Sequence, residues 1–231
     1  MSGQEPAILY ENTVSGAFVR RLNRFTAEVL INGEPEFVHV KNTGRLQELL
    51  VPKARVTLQK TSNLNRKTAY DLISVYKPDL KWVNIDSLAP NALMKQHLMS
   101  LNYDLVKPEY TYGDSRIDFY MEKDGEKFLT EVKGCTLADE LHPGIGLFPD
   151  APTERGVKHL HELAKAAREG YHCAIAFVIQ MNGIYQVLPN TEKQPAFKEA
   201  LVNAEKAGVQ VVYYSCHVEA DSIKIIENPL L

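Results

Sequence analysis

The feature that most constrains this fold is a stretch in which charged residues interrupt an apolar pattern, "RIDFYMEKDGEKFLTEVKGCTL" at 116–137. Asp124-Gly125 at its centre is a dipeptide that favours a tight turn between antiparallel strands. A turn centred there places Asp118 opposite Glu131 on the neighbouring strand. Lys133 follows Glu131 by two residues, so both point to the same face of one strand. The sequence therefore predicts a β-hairpin that brings two carboxylates and a lysine together.

Two carboxylates in this arrangement suit a hard divalent cation, Mg²⁺ or Mn²⁺, because such ions prefer oxygen ligands. We predict Asp118 and Glu131 as metal ligands, and Asp118, Glu131 and Lys133 as the catalytic residues. The Lys133 ammonium group can stabilise the negative charge that develops during phosphoryl transfer. The alternative is a solvent-facing Glu-Lys pair on an edge strand, since short motifs recur by chance. The apolar neighbours favour a central strand, where an unpaired charge is costly.

Residues 1–80 read as short strands separated by turn residues, which predicts a small all-β barrel. A five-stranded OB-like barrel fits the size, and an SH3-like barrel fits the spacing equally well. The stretch "AFVRRLNRFTAEVLI" (17–31) is interpreted as one strand. In the turn "NTGR" (42–45), Gly44 is expected to supply a left-handed backbone conformation. The segment "KPDLKWVNIDS" (77–87) is interpreted as a connector.

Residues 81–231 alternate between strand and helix patterns, which predicts an α/β domain with a mixed central sheet. The stretch "TERGVKHLHELAKAAREG" (153–170) predicts an amphipathic helix that Thr153 caps and Gly170 ends. The segment "ADELHPGIGLFPDAP" (138–152) is expected to be a loop. The chain thus divides into an OB-like nucleic-acid-binding domain, residues 1–80, and an α/β domain, residues 81–231.

Charge is unevenly distributed along the chain. Residues 18–67 contain ten Lys or Arg and four Glu, a net +6, so the total of −3 leaves −9 for the rest. A basic module of this kind is suited to phosphates, and the alternative is a solvated charged face. Aromatic residues among these charges (Phe25, Phe37, His39 and Tyr70) could stack on bases or belong to the core. The predicted contacts to DNA or RNA are Arg20, Arg21, Arg24, Arg45, Arg66, Lys67 and, at a helix start, Arg155.

Several classes of protein are disfavoured by the sequence. Apolar runs are far shorter than the roughly 20 residues of a membrane-spanning helix, and the N-terminus lacks a signal-peptide pattern. We therefore expect no membrane partner and a cytoplasmic location. The three cysteines include no CxxC pair, which argues against a disulfide framework or a zinc site. His159 and His161 are interpreted as surface or packing residues, and Glu109 as a weaker candidate for a third acidic ligand.

Four sequence blocks carry a resemblance to a known family: "NTGR", "SRIDF", "EVKGCTL" and "LFPDAPTERGVKHL". In order and spacing they resemble the sugar fermentation stimulation protein A family over nearly the whole chain. The resemblance implies an N-terminal OB-fold, a PD-(D/E)xK nuclease-like domain and DNA binding. It also implies that Asp118 is the aspartate of that motif, with Glu131 and Lys133 as its E-x-K.

The function that these observations favour is Mg²⁺-dependent hydrolysis of phosphodiester bonds in DNA or RNA. The alternative is a non-catalytic DNA-binding regulator of sugar (maltose) metabolism genes, as the family name implies. A third reading is a module that senses oligosaccharides or nucleotides. The sequence leaves open whether the substrate is single or double stranded, and leaves open the oligomeric state, a homodimer included.

Overall fold

The computed structural model describes residues 5–63 and 65–226. In chain order the elements are β1 (Ala7–Leu9), β2 (Thr13–Arg21), β3 (Thr26–Ile31), β4 (Glu34–Val40), β5 (Arg55–Lys60), β6 (Tyr70–Lys77), β7 (Lys81–Asn84), α1 (Ala89–Ser100), β8 (Leu105–Tyr112), β9 (Ser115–Lys123), β10 (Glu126–Cys135), β11 (Leu137–Ala138), β12 (Ile145–Phe148), α2 (Glu154–Arg168), β13 (His172–Ile179), β14 (Gln186–Pro189), α3 (Pro195–Lys206), β15 (Gln210–Val218) and β16 (Ser222–Ile225).

Strands β2 to β6 close into a five-stranded barrel. The order is β4-β3-β2-β5-β6, and a parallel pairing of β4 with β6 closes the ring. Counted within the barrel, β2 to β6 are strands one to five. Strands one, two and three are neighbours and strand three pairs with strand five, which is the arrangement of an OB barrel rather than an SH3-like one. Alternate strand residues such as Val29, Val38, Val56 and Leu72 are fully buried and fill the interior. The predicted OB-like barrel is confirmed.

The predicted single strand over 17–31 is wrong, because the chain reverses at residues 22–25. The backbone amides of Leu22 and Asn23 both donate to the carbonyl of Thr26, at 2.9 and 3.3 Å. The Asn23 side chain then accepts from the amide of Phe25 at 2.8 Å, which replaces a strand hydrogen bond inside the turn. The turn lacks the Gly or Pro that makes most hairpin turns visible in a sequence.

A seven-stranded mixed sheet forms the second part of the molecule, in the order β1-β16-β15-β13-β10-β9-β8. The three central strands β10, β13 and β15 are parallel, and the outer strands are antiparallel. One face packs against α1 through an apolar cluster that includes Val132 and Val178. The other face packs against α2 and α3 through residues such as Leu160 and Phe197. The predicted α/β domain with a mixed central sheet is confirmed.

Helix α2 begins and ends as its sequence predicts. The Thr153 side chain accepts from the amide of Gly156 at 3.0 Å, so it caps the first turn. Gly170 follows the last turn with φ +94°, a conformation that glycine adopts without strain. The segments interpreted as a connector and a loop are incorrectly assigned in part, because they contain β7 and the short strands β11 and β12. Strand β7 pairs with the preceding strand β6, and β11 pairs with the following strand β12, which in addition pairs with the distant strand β14.

Buried polar groups join the barrel to the sheet. Lys41, which follows β4, contacts the carboxylate of Asp86 at 2.8 Å. Gln180, which follows β13, donates to the side chain of Asn84 at 2.8 Å, and Asn84 donates to the Tyr10 hydroxyl at 3.1 Å. Since buried polar groups are stable only when they are paired, this network fixes how the barrel meets the sheet. The loop after β4 is thereby held beside the ends of β9 and β10.

Candidate active site

Asp118, Glu131 and Lys133 line one cleft of about 480 Å³ between the barrel and the sheet. The hairpin register is the predicted one, with Leu129 opposite Tyr120 and Thr130 opposite Phe119. Beyond this last pair β10 leaves β9 and continues beside β13. Where the two strands separate, the Asp118 carboxylate replaces a backbone carbonyl of β9 as hydrogen-bond acceptor. It accepts from the amide of Val132 at 2.8 Å.

Asp118 is a partly buried carboxylate held by two donors. Besides Val132, the Asn91 side chain in the first turns of α1 donates to its second oxygen at 2.8 Å. Burial raises the pKa of Asp118 above its ordinary value, and the negative charge of Glu131 adds to the rise. The hydrogen bond from Val132 and the positive charge of Lys133 oppose it. A carboxylate under these influences is stabilised in its charged form by an added cation.

Glu131 is almost completely buried, at 1% exposure, in the middle of the central strand β10. Its Oε1 accepts from Lys133 Nζ and from His159 Nδ1. Its Oε2 is buried and has no hydrogen-bond partner among the described residues. Burial alone would raise the pKa of Glu131, but the His159 hydrogen bond and the Lys133 charge hold it below its ordinary value. The site therefore contains a charged carboxylate with one oxygen left unsatisfied, an arrangement that is costly unless a further group binds it.

His159 is the site residue that the sequence interpretation underestimated. It is 3% exposed, and its ring nitrogens face Glu131 on one side and Arg155 on the other. Arg155 Nε donates to His159 Nε2 at 3.3 Å, which leaves Nδ1 to carry the ring proton toward Glu131. The i, i+4 spacing of Arg155 and His159 on α2 was the available signal, because residues four apart meet on one helix face. His161 is exposed, as expected.

The donor set fits a divalent cation held by few protein ligands. Across residues 5–63 and 65–226, no group of three or more His, Cys, Asp or Glu side chains is arranged to hold a metal ion. Asp118 and the free oxygen of Glu131 would thus be the two carboxylate ligands, and water or substrate oxygens would complete the shell. Mg²⁺ is commonly bound in this way. Glu109 is not part of the cleft, since it is exposed and contacts Arg116 at 2.5 Å.

Three of the predicted basic residues gather at the cleft. Arg24 and Arg155 line it directly. Arg45 lines an adjoining groove of about 670 Å³, which shares Arg24 and the "NTGR" loop with the cleft. Exposed guanidinium groups beside two carboxylates can hold a phosphate that a metal also contacts. A polyanion could therefore run from the groove into the cleft.

The other predicted basic residues lie elsewhere or have partners within the protein. Arg66 forms two hydrogen bonds to Asp71, at 2.7 and 3.2 Å. Arg20 is exposed and pairs with Glu28 at 2.7 Å, and Lys67 is exposed in the loop before β6. Arg21 donates to five backbone carbonyls: those of Asn23, Arg24, Asn42, Gly44 and Arg45. The guanidinium groups of Arg21 and Arg66 thus donate to groups within the protein rather than to a ligand.

The "NTGR" loop is held against the sheet domain at the rim of the cleft. Asp150 Oδ2 accepts from the amide of Arg45 at 3.0 Å. A Cβ atom on Gly44 would lie 2.3 Å from the same oxygen. The expectation that Gly44 supplies a left-handed conformation is wrong, because Gly44 is not among the glycines with positive φ. Glycine there allows Asp150 to approach closely enough to accept from the Arg45 amide.

Arg21→Ala should destabilise the protein by about 2–4 kcal/mol, because several carbonyls lose a charged donor at once. The neighbouring Arg20→Ala should cost less than about 1 kcal/mol, since its one ion pair is exposed. Chemical denaturation of both variants measures the difference. Equal losses of stability would show that the five carbonyl contacts contribute no more than one surface pair.

The chain matches two family models that together span most of its length. The model described as "SfsA N-terminal OB domain" matches residues 19–85, and that described as "Sugar fermentation stimulation protein RE domain" matches residues 85–222. Within the part of the chain that the structure describes, no helix combines the length and apolar character needed to cross a membrane.

Similar proteins span almost the same length as this chain. A sugar fermentation stimulation protein homolog of Desulfitobacterium hafniense is 45% identical over 218 residues, covering 93% of this chain and 94% of that protein. One of Clostridium beijerinckii is 46% identical over 220 residues, covering 94% and 96%. The solved structure of Pyrococcus furiosus SfsA in complex with Ca²⁺ has a TM-score of 0.83, 25% identity and 96% coverage of both chains.

Proposed function

The chain belongs to the sugar fermentation stimulation protein family, and from this premise and the geometry of its cleft we propose that it is a metal-dependent nuclease. It hydrolyses phosphodiester bonds of DNA or RNA with Mg²⁺ or Mn²⁺ bound by Asp118 and Glu131. In this proposal residues 1–80 bind the nucleic acid, residues 81–231 carry the catalytic site, and the protein works in the cytoplasm.

The observation that carries the proposal is the unpaired oxygen of Glu131. A buried carboxylate oxygen without a partner is costly, and the glutamate that carries it lines the same cleft as Asp118. The Ca²⁺ complex of the Pyrococcus furiosus protein supports a divalent cation for this family member, since the two chains share their fold over 96% of their lengths. Mg²⁺ and Ca²⁺ are both hard ions that take oxygen ligands, which Asp118 and Glu131 supply.

The residues around the carboxylates suit phosphodiester hydrolysis. When bound, the cation polarises a phosphoryl oxygen and lowers the pKa of the attacking water. Asp118 is kept in place by Asn91 and Val132. Lys133 contacts Glu131 and is only partly buried, so its ammonium group can turn toward the phosphate and stabilise the negative charge of the transition state. Arg24 and Arg155 hold the phosphate backbone at the mouth of the cleft.

The first experiment is a cleavage assay with labelled single- and double-stranded DNA and RNA, in Mg²⁺, Mn²⁺ or EDTA. Cleavage should require the metal and fall by about 10²–10³-fold in Lys133→Ala, the loss expected when one group that stabilises transition-state charge is removed. Lys127→Ala is the matched control, because Lys127 lies on the same strand but is exposed at its far end. Cleavage that survives Lys133→Ala unchanged would remove this residue from the mechanism.

The second candidate is a DNA-binding regulator of sugar metabolism genes that binds without cutting; the matched family description names the stimulation of sugar fermentation. The basic groove alone would be enough for DNA binding. Asp118, Glu131 and Lys133 would then be present in the cleft but would not catalyse cleavage. Tight DNA binding with no cleavage of any substrate in any metal would favour this candidate. The intact set of three motif residues in one cleft favours the nuclease.

A further inference from the structure

The outer face of the barrel carries aromatic side chains that its core does not use. Phe25 is 53% exposed and Phe37 is 54% exposed, and His39 is half-buried. Val38 and Val40 alternate with these residues on β4 and are fully buried. We call Phe25, Phe37 and His39 the aromatic patch. Large exposed aromatic side chains that cluster on one face mark an interaction site more often than a packing site.

Two members of the aromatic patch, Phe25 and His39, are oriented by contacts with each other. Strand pairing places His39 opposite Thr26, next to Phe25. The His39 Nδ1 atom lies 3.0 Å from the Phe25 backbone carbonyl, within hydrogen-bond distance. The Phe25 and His39 rings are nearly parallel, 17° apart, with centroids 6.5 Å from each other. The rings thus form a flat surface whose orientation is set before any ligand arrives, which lowers the entropy cost of binding.

The aromatic patch lies on the part of the barrel that leads to the cleft. Phe37 and His39 lie on the third barrel strand, β4, and Phe25 lies in the first loop of the barrel, at residues 22–25. This is the face through which OB barrels bind linear polymers. Arg24 precedes Phe25 in that loop and lines both the groove and the cleft. A ligand bound across the patch would therefore pass Arg24 on its way to Asp118.

From this continuity we infer that the substrate of the site is single-stranded nucleic acid, held by base stacking on Phe25, Phe37 and His39. The inference rests on the proposed function, since it names the substrate class of the same site. Flat aromatic rings bind the faces of unpaired bases, and those faces are already covered in a duplex. Residues 18–67 carry a net charge of +6. This charge favours a polyanion over a protein as the ligand of the neighbouring aromatic rings.

The test is the affinity for labelled oligothymidylate of about 20 nucleotides, a length that exceeds the site of one OB barrel. Fluorescence anisotropy is measured in EDTA, so binding does not depend on cleavage. The wild type should bind this strand more tightly than a duplex of the same length. The double variant Phe25→Ala/Phe37→Ala should lose about tenfold to a hundredfold in affinity for the strand, with little change for the duplex.

Tyr185→Ala is the matched control, because Tyr185 is a 47% exposed aromatic residue of the α/β domain. It should bind oligothymidylate like the wild type, and circular dichroism should show that all variants remain folded. A double variant that binds the strand as tightly as the wild type, or a wild type that prefers the duplex or binds neither, would overturn the inference, even if the protein proves to be a nuclease. Loss of strand binding in the double variant would support it, even if no substrate is cleaved in any metal.

Discussion

Glu131→Gln is expected to abolish most metal-dependent cleavage, with a fall in rate of about 10³-fold or more. Metal-ion catalysis supplies several kcal/mol of transition-state stabilisation, and each 1.36 kcal/mol corresponds to a factor of ten. The substitution removes the negative charge and leaves the side-chain shape. A neutral amide oxygen is a weaker ligand for a hard divalent cation than a carboxylate.

The structure indicates that this variant will fold. The amide oxygen of glutamine can still accept from Lys133 and His159, the two donors that Glu131 Oε1 serves. The unpaired position is then occupied by a neutral amide nitrogen, whose burial without a partner costs less than that of a charged carboxylate oxygen. The midpoint of thermal unfolding should therefore change little, so a lost activity can be attributed to the site.

Two measurements separate the metal-binding role from other causes. Calorimetric titration with Ca²⁺ or Mn²⁺ should show weaker binding in Glu131→Gln, independent of catalysis. Glu109→Gln makes the same chemical change at an exposed acid that pairs with Arg116 outside the cleft, and it should leave both metal affinity and cleavage unchanged. Unaltered metal affinity in Glu131→Gln would exclude Glu131 as a ligand.

The hairpin that carries the site was predictable in detail because its determinants are local. A turn dipeptide at Asp124-Gly125 sets the register, and the two-residue period of a strand then decides which side chains share a face. The observed pairing of Thr130 with Phe119 follows from those two facts alone. The capping of α2 by Thr153 was predictable for the same reason, since the capping atom and its donor are three residues apart.

The remaining features depend on residues far apart in the chain. Arg21 was expected to contact phosphate, but its donors are used by loop carbonyls more than twenty residues away. Glycine is favoured at position 44 because the Asp150 side chain, from the other domain, packs against it. Strand β12 pairs with β14, which lies beyond α2 and β13 in the chain. Composition and spacing indicate which side chains are able to bind a ligand. Tertiary packing decides which of those side chains already bind another part of the protein.

His159→Ala is the second change for which we expect a large effect, a fall in cleavage and metal affinity of about 10–100-fold. Residues that hydrogen-bond a metal ligand orient it, and their loss usually has this magnitude. His159 contacts Glu131 Oε1 and is itself held by Arg155. Without it, the Glu131 side chain can rotate away from the position that Lys133 and His159 hold together. His159 is thus a positioning residue rather than a catalytic one.

A conservative variant distinguishes this role from a general loss of stability. The amide nitrogen of His159→Asn lies near the position of Nδ1, so it can donate to Glu131 and should restore part of the metal affinity that His159→Ala loses. His161→Ala is the control, because His161 lies two residues further along α2 and is exposed. Both histidine-to-alanine variants should be compared by Ca²⁺ titration and by thermal unfolding. If His159→Ala lowers the unfolding midpoint but leaves Ca²⁺ affinity intact, then His159 serves the core of the sheet domain, and Glu131 is oriented by Lys133 and by strand β10 alone.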